Sequence, residues 1–106
     1  MALRDPAKLG NIQTAGEAQM SVYMVERDLA GFSLEQLSQA QRAAISKGDE
    51  MTKSGTPARY IRTTFAPDDG RCMCLFEAES SEDVRRLNDE AGLPFSRIVP
   101  ALDLTP

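Results

Sequence analysis

The chain has 106 residues, which is enough for one domain with a hydrophobic core and too few for two. Its 42% hydrophobic and 26% charged residues are the balance of a folded globular protein. With a net charge of -4, the whole chain is repelled by phosphate backbones and anionic membrane surfaces. We therefore expect neither nucleic acid nor a membrane as a partner.

The first 19 residues mix proline, glycine and polar residues without a sustained hydrophobic period. This pattern is typical of a flexible extension, so we predict one domain over residues 20–106. No segment approaches the roughly 20 apolar residues that cross a bilayer. The only cysteines, Cys72 and Cys74, do not form the framework of a secreted disulfide scaffold. We expect a cytoplasmic protein with reduced thiols.

The first half of the domain predicts a strand and a helix. The run MSVYMVER, residues 20–27, is apolar on both faces and indicates a central strand. Ser33 and Gln36 form a capping-box pattern at a helix start. Apolar residues at helical spacing extend that helix to about Lys47, where Gly48 could end it or the next residues add a turn.

The second half predicts a hairpin, a helix and a last strand. Alternating residues 58–65 and 71–79 indicate two strands, and the proline, aspartates and glycine between them favour a turn. Ser80 and Ser81 are candidate caps of a second helix that ends at Gly92. Residues 94–102 contain two prolines and suit an edge strand.

This order of elements predicts an α+β fold of the ferredoxin-like β-α-β-β-α-β type, with two helices on one face of a four-stranded antiparallel sheet. A different α+β sandwich, with the N-terminal segment as an added strand, is the alternative. Two helices cover only one side of a sheet whose first and third strands are apolar on both. A homodimer that stacks two sheets would cover the other side as a dimeric α+β barrel and enclose a cavity for a small molecule.

Three blocks carry a family resemblance: YMVERDLAGFSLEQL, RYIRTTFAPDDGRCMCLFEAESSEDVR and AGLPFSRIVPALDL. In this order they resemble a bacterial family of small ferredoxin-like domains of unknown function, often labelled nickel-binding-protein-like. The resemblance covers about residues 20–104 and implies a dimeric ferredoxin-like domain and a metal. The chain departs from that label because it has no histidine, the favoured donor for nickel. We therefore expect no cofactor and assign no metal ligand.

Cys72 and Cys74 have two interpretations. A closed zinc site needs four ligands, and a second cysteine pair is absent from the sequence. Two buried side chains of the third strand are the simpler interpretation. Between these lies the hypothesis that Cys74 lines a ligand cavity.

The candidate catalytic residues are Glu26, Glu77 and Tyr60. A carboxylate near the end of an apolar central strand is costly unless it is paired or faces a wet cavity. The competing interpretation of both glutamates is an ion pair with Arg62, Arg97 or Arg27. Tyr60 shares a face with Arg62 if the strand alternates regularly, and a phenol can donate a proton. Candidate ligand-binding residues are Tyr23, Arg62, Cys74 and Arg97.

These residues favour two functions. The first is a homodimeric module that binds a small molecule, or less readily a metal. The second is a cofactor-free cyclase, isomerase or monooxygenase acting through carboxylate, tyrosine and arginine groups, which rests on analogy of fold. RNA binding is disfavoured because the third strand lacks the basic and aromatic string of RNA-recognition domains.

Overall fold

The computed structural model describes residues 19–106, so the predicted extension falls almost wholly outside the described residues. The sheet has the strand order β2-β3-β1-β4, and all its neighbours are antiparallel. This confirms the ferredoxin-like prediction. No helix within residues 19–106 is long and apolar enough to cross a membrane. The elements are β1 (Ser21–Asp28), α1 (Leu34–Lys53), β2 (Ala58–Ala66), β3 (Arg71–Ala78), α2 (Ser81–Glu90) and β4 (Arg97–Ala101).

Helix α1 begins as predicted and ends later. The Gln36 amide donates to Ser33 Oγ at 3.1 Å, and the Ser33 amide donates to Gln36 Oε1 at 2.8 Å, which completes the capping box. The helix continues past Lys47, and Gly48 lies on its buried face. A Cβ at this position would be 3.0 Å from the Ala58 carbonyl oxygen, so Gly48 lets the helix approach β2 closely.

The core lies between the two helices and one face of the sheet. Val25 of β1 and Phe76 of β3 are fully buried at its centre. From the helices, Met51, Val84 and Leu87 pack against them. The cysteines belong to this core as free thiols, which confirms their interpretation as buried residues of the third strand.

Strand positions follow the sequence closely. Strand β1 is central and β4 forms an edge that accommodates Pro100, as predicted. Strand β4 begins at Arg97 and not at the predicted Pro94. Before it, Leu93 and Phe95 pack against the core, and the Ser96 amide donates to the Glu26 carbonyl at 2.7 Å. The segment before β4 therefore covers the core, and its last residue, Ser96, forms a backbone hydrogen bond with β1.

Strand β2 contains an irregularity that sequence alternation did not reveal. Tyr60 pairs with Phe76, whereas Arg62 pairs with Leu75, so Ile61 is the extra residue of a β-bulge. Neighbouring residues of β3 point to opposite faces, and therefore Tyr60 and Arg62 do too. The prediction that they share a face is wrong.

Candidate functional site

The sheet face away from the helices, called here the open face, has an apolar centre. Its side chains come from the two middle strands and from β4, and each is half-buried although no element of residues 19–106 packs over them as a layer. Such a face is available for an additional contact. These side chains are Val22, Met24, Met73, Leu75, Val99 and Ala101.

Ion pairs surround this apolar centre. Arg97 Nε donates to Glu26 Oε2 at 2.8 Å, which confirms the interpretation of Glu26 as an ion-pair partner. Arg59 Nε donates to Glu77 Oε1 at 2.9 Å, so the partner of Glu77 is none of the three arginines considered from the sequence. These partners are cross-strand neighbours in the register of the sheet.

The two candidate carboxylates do not meet. Glu26 pairs with Met73 and Glu77 pairs with Val22, which is four residues before Glu26 on the same strand. At about 3.3 Å per residue, the separation along the strand is about 13 Å. Glu26 and Glu77 therefore lie at different ends of the open face and cannot act together on one bond.

A third ion pair extends from one edge of the sheet to the other. Arg62 on β2 donates to Asp103 Oδ2 at 2.6 Å, and Asp103 follows β4. Because β2 and β4 are opposite edge strands, this contact holds the C-terminal segment over the open face. Leu102 and Leu104 on either side are 78% and 81% exposed, so they enlarge the apolar surface.

On the helix side of the sheet, hydrogen bonds form a chain that ends at the two thiols. Gln41 Nε2 donates to the Tyr60 hydroxyl at 2.7 Å, and this hydroxyl lies 2.7 Å from Thr63 Oγ1. Thr63 Oγ1 lies 3.1 Å from Cys74 Sγ, and the two sulfurs are 3.9 Å apart. Tyr60 and Cys74 are thus brought together, away from the other candidates.

These side chains line a small cavity under α1, the thiol cavity, of about 20 Å³. Its other polar wall is Arg27, which is only 7% exposed and donates to the Pro94 carbonyl at 3.1 Å. Burial raises the pKa of the Cys72 thiol to about 11, and the neighbouring Cys74 adds to this effect while Arg27 opposes it. At neutral pH Cys72 is therefore a thiol.

The remaining candidates are separate from each other. Tyr23 pairs with Phe76 in the register, lies partly buried against the core, and has no hydrogen-bond partner within the described part of the chain. Arg97 lies on the open face. Sequence reasoning missed Thr63, whose orientation depends on the bulge, and Gln41, which reaches Tyr60 from α1. It considered Arg27 only as an ion-pair partner at the sheet edge or dimer interface.

Comparison with known proteins identifies the family of the chain. Residues 23–100 match the family model described as nickel responsive protein SCO4226-like, which is more than half of the chain. The chain belongs to this family. The resemblance inferred from the sequence is thereby confirmed.

A solved structure supports the same fold for this SCO4226-like chain. The chain is similar to the crystal structure of SCO4226 from Streptomyces coelicolor A3(2), with 23% identity and a TM-score of 0.67. The match covers 81% of this chain and all of the other. No curated protein matches the sequence. The likeness establishes the fold.

The donors of this SCO4226-like chain fit nickel poorly. Nickel in proteins favours imidazole and thiolate ligands in sites of several donors, and the sequence contains no histidine. Among residues 19–106, no three cysteine, aspartate or glutamate side chains are grouped so that they could hold one metal ion. The two thiols are adjacent, but the polar groups around them are a hydroxyl, a phenol, an amide and a guanidinium.

Proposed function

We propose that this chain is a small-molecule binding module, built as a homodimer in which the open faces of two copies enclose the ligand. The observation that carries the proposal is the apolar centre of the open face, half-buried and bordered by ion pairs. Two such faces would bury each other's methionines and leucines. Each Å² of apolar surface removed from water contributes about 25 cal/mol, which favours this association.

Charge compensation also supports a second copy as the occupant. Each of the three acidic groups at the border of the open face pairs with an arginine. The face is therefore nearly neutral, although the whole chain carries -4. Two copies can approach through this face without the repulsion that the net charge would otherwise produce.

The lining indicates the class of ligand. Between two open faces, a bound molecule would meet mainly apolar side chains, with arginine and carboxylate groups at the rim. A small organic molecule with an apolar body fits this surface, and specific polar contacts would come from the rim. The family description names nickel, but an apolar lining offers it no set of donors.

Native mass spectrometry of the full chain tests the proposal, because it reports subunit number and bound mass together. We expect a dimer carrying an organic adduct. Met24→Glu places a charge in the apolar centre and should give monomers without the adduct. Ile45→Glu is the matched control, since Ile45 is 46% exposed on α1, outside the open face, and should leave the dimer intact.

Three results would contradict the proposal. One is a wild-type chain that stays monomeric at about 100 μM, because its self-association would then be weaker than that of a specific interface of standard size. Another is a dimer that persists in Met24→Glu and dissociates in Ile45→Glu, because the helices would then form the interface. The third is a wild-type dimer that carries Ni²⁺ and no organic mass, because the ligand class would then be wrong.

A further inference from the structure

The thiol cavity takes no part in the proposed ligand binding at the open face. It lies on the helix side of the sheet, opposite the open face, and its volume of about 20 Å³ suits one water molecule or one ion. Cys72 Sγ and Cys74 Sγ are 3.9 Å apart on its wall. Bonds from a first-row metal ion to thiolate sulfur are about 2.3 Å long, so one ion can join two sulfurs up to about 4.6 Å apart.

A buried positive charge lies at the same cavity. Arg27 is a buried residue, with 7% of its surface exposed, and it lines the cavity beside Cys72. It donates to the Pro94 carbonyl, and no carboxylate among residues 19–106 forms an ion pair with it. A buried charge is costly unless an opposite charge accompanies it. The cavity is therefore arranged to hold a species with negative charge.

We propose that Cys72 and Cys74 bind one copper(I) ion as a pair of thiolates, with Arg27 as the counter-charge. Two thiolates and one Cu⁺ form a complex of charge -1, which the guanidinium neutralises. On binding, each thiol loses its proton to solvent and each sulfur forms one bond to copper. No atom changes oxidation state.

Copper(I) fits these donors better than a divalent ion does. Thiolate sulfur is the soft ligand that selects copper(I), and this ion accepts two ligands where zinc and nickel need at least four. The described residues offer no group of three or more donors for a metal ion, but copper(I) does not need one. A divalent ion would leave a neutral complex next to the buried Arg27.

An entry route lies beside the cavity. A surface pocket of about 220 Å³ shares Cys72 and Arg27 with the thiol cavity, so these two side chains separate the interior from solvent. Its outer wall includes three carboxylates, which attract cations, and the guanidinium of Arg71, which opposes them. Movement of one side chain at this boundary would expose the Cys72 sulfur. The carboxylates belong to Glu26, Asp28 and Asp69.

The test is a competition titration of the purified full chain with Cu⁺ and the chromophoric chelator bicinchoninate, without oxygen. We expect one Cu⁺ per chain and, by X-ray absorption, two sulfur neighbours of the metal. Cys72→Ala and Cys74→Ala should each weaken binding at least about 100-fold, more than the loss of an outer partner costs. Met51→Leu is the control, because its buried thioether lies outside the cavity, and it should bind as wild type.

Arg27 gives the sharper test of the charge argument. Arg27→Met should weaken Cu⁺ binding about 10- to 100-fold, and Arg27→Lys should restore part of the loss. Circular dichroism of each variant shows whether it is folded. A folded wild type that binds no Cu⁺, retention of Cu⁺ by both alanine variants, or Arg27→Met that binds as wild type would each overturn the site. None of these outcomes bears on the dimer at the open face.

Discussion

Tyr60 and Arg62 lie two residues apart on β2 and face opposite sides of the sheet. The bulge at Ile61 separates them, so that the Tyr60 ring contacts Phe76 edge-on at 5.6 Å while Arg62 binds Asp103 over the open face. One strand thus contributes to both surfaces: the hydroxyl of Tyr60 supports the thiol cavity, and the guanidinium of Arg62 borders the proposed ligand site.

Loss of the Tyr60 hydroxyl should destabilise the domain. Tyr60→Phe removes the acceptor of Gln41 Nε2 and leaves Thr63 Oγ1 with only the Cys74 thiol, both in partly buried positions. We therefore expect the free energy of unfolding to fall by about 1–3 kcal/mol. Urea denaturation measures this change. Tyr23→Phe is the control, because its hydroxyl has no partner among residues 19–106, and should change stability by less than about 0.5 kcal/mol. Equal effects would refute the role of the hydrogen-bond chain.

The sequence was sufficient to predict the fold because several local signals agreed. The capping box at Ser33, the hairpin turn before Arg71 and the central position of β1 all follow from residue types at fixed spacings. Each of these signals lies within a few neighbouring residues. Strand order then follows from the restricted ways in which such elements connect.

The site could not be predicted in the same way. Regular alternation places Tyr60 with Arg62, and nothing in the residue types around Ile61 marks the bulge that reverses this. Arg27 follows Glu26 at a strand end, where an arginine is usually exposed, yet the segment before β4 covers it. Both errors arise from contacts between distant parts of the chain, which local patterns do not contain.

Comparing alanine variants of Gly70 and Gly92 distinguishes the cost of backbone strain from the cost of a steric clash. Both have positive φ, +77° and +73°, so alanine at either position costs about 1–2 kcal/mol. A Cβ at Gly70 would also lie 2.5 Å from the Ala30 backbone, whereas at Gly92 nothing lies within 4 Å. We expect Gly70→Ala to lower the free energy of unfolding by about 1–3 kcal/mol more than Gly92→Ala. Denaturant titration of both variants checks this, and similar losses would show that the hairpin turn has room to move.

Asp103 should matter more for holding the C-terminal segment in place than for the stability of the whole domain. The ion pair with Arg62 is partly exposed, so Asp103→Asn should cost less than about 1 kcal/mol of unfolding free energy. Its loss should nevertheless release the segment from the open face. Faster removal of the last residues by carboxypeptidase would show this release, and Arg62→Gln should behave alike.

Arg97→Gln provides the comparison, since it breaks an ion pair with Glu26 on the same face without touching Asp103. Trimming at the wild-type rate is expected for that variant. If all three variants are trimmed equally fast, general loosening of the open face explains the effect and the Arg62 contact is not what holds the segment.

Cys72 should make the domain less stable in alkali. Burial raises its pKa to about 11 in the folded chain, whereas an unfolded cysteine ionises near about 8.5. Between these values the unfolded chain binds fewer protons than the folded chain, so stability is highest below this range and falls as pH rises through it. Urea denaturation at about pH 8 and about pH 10.5 measures the fall. Cys72→Ala removes the group, and its stability should decline less between the two conditions. An identical decline in both proteins would mean that Cys72 ionises as easily in the folded core as in the unfolded chain.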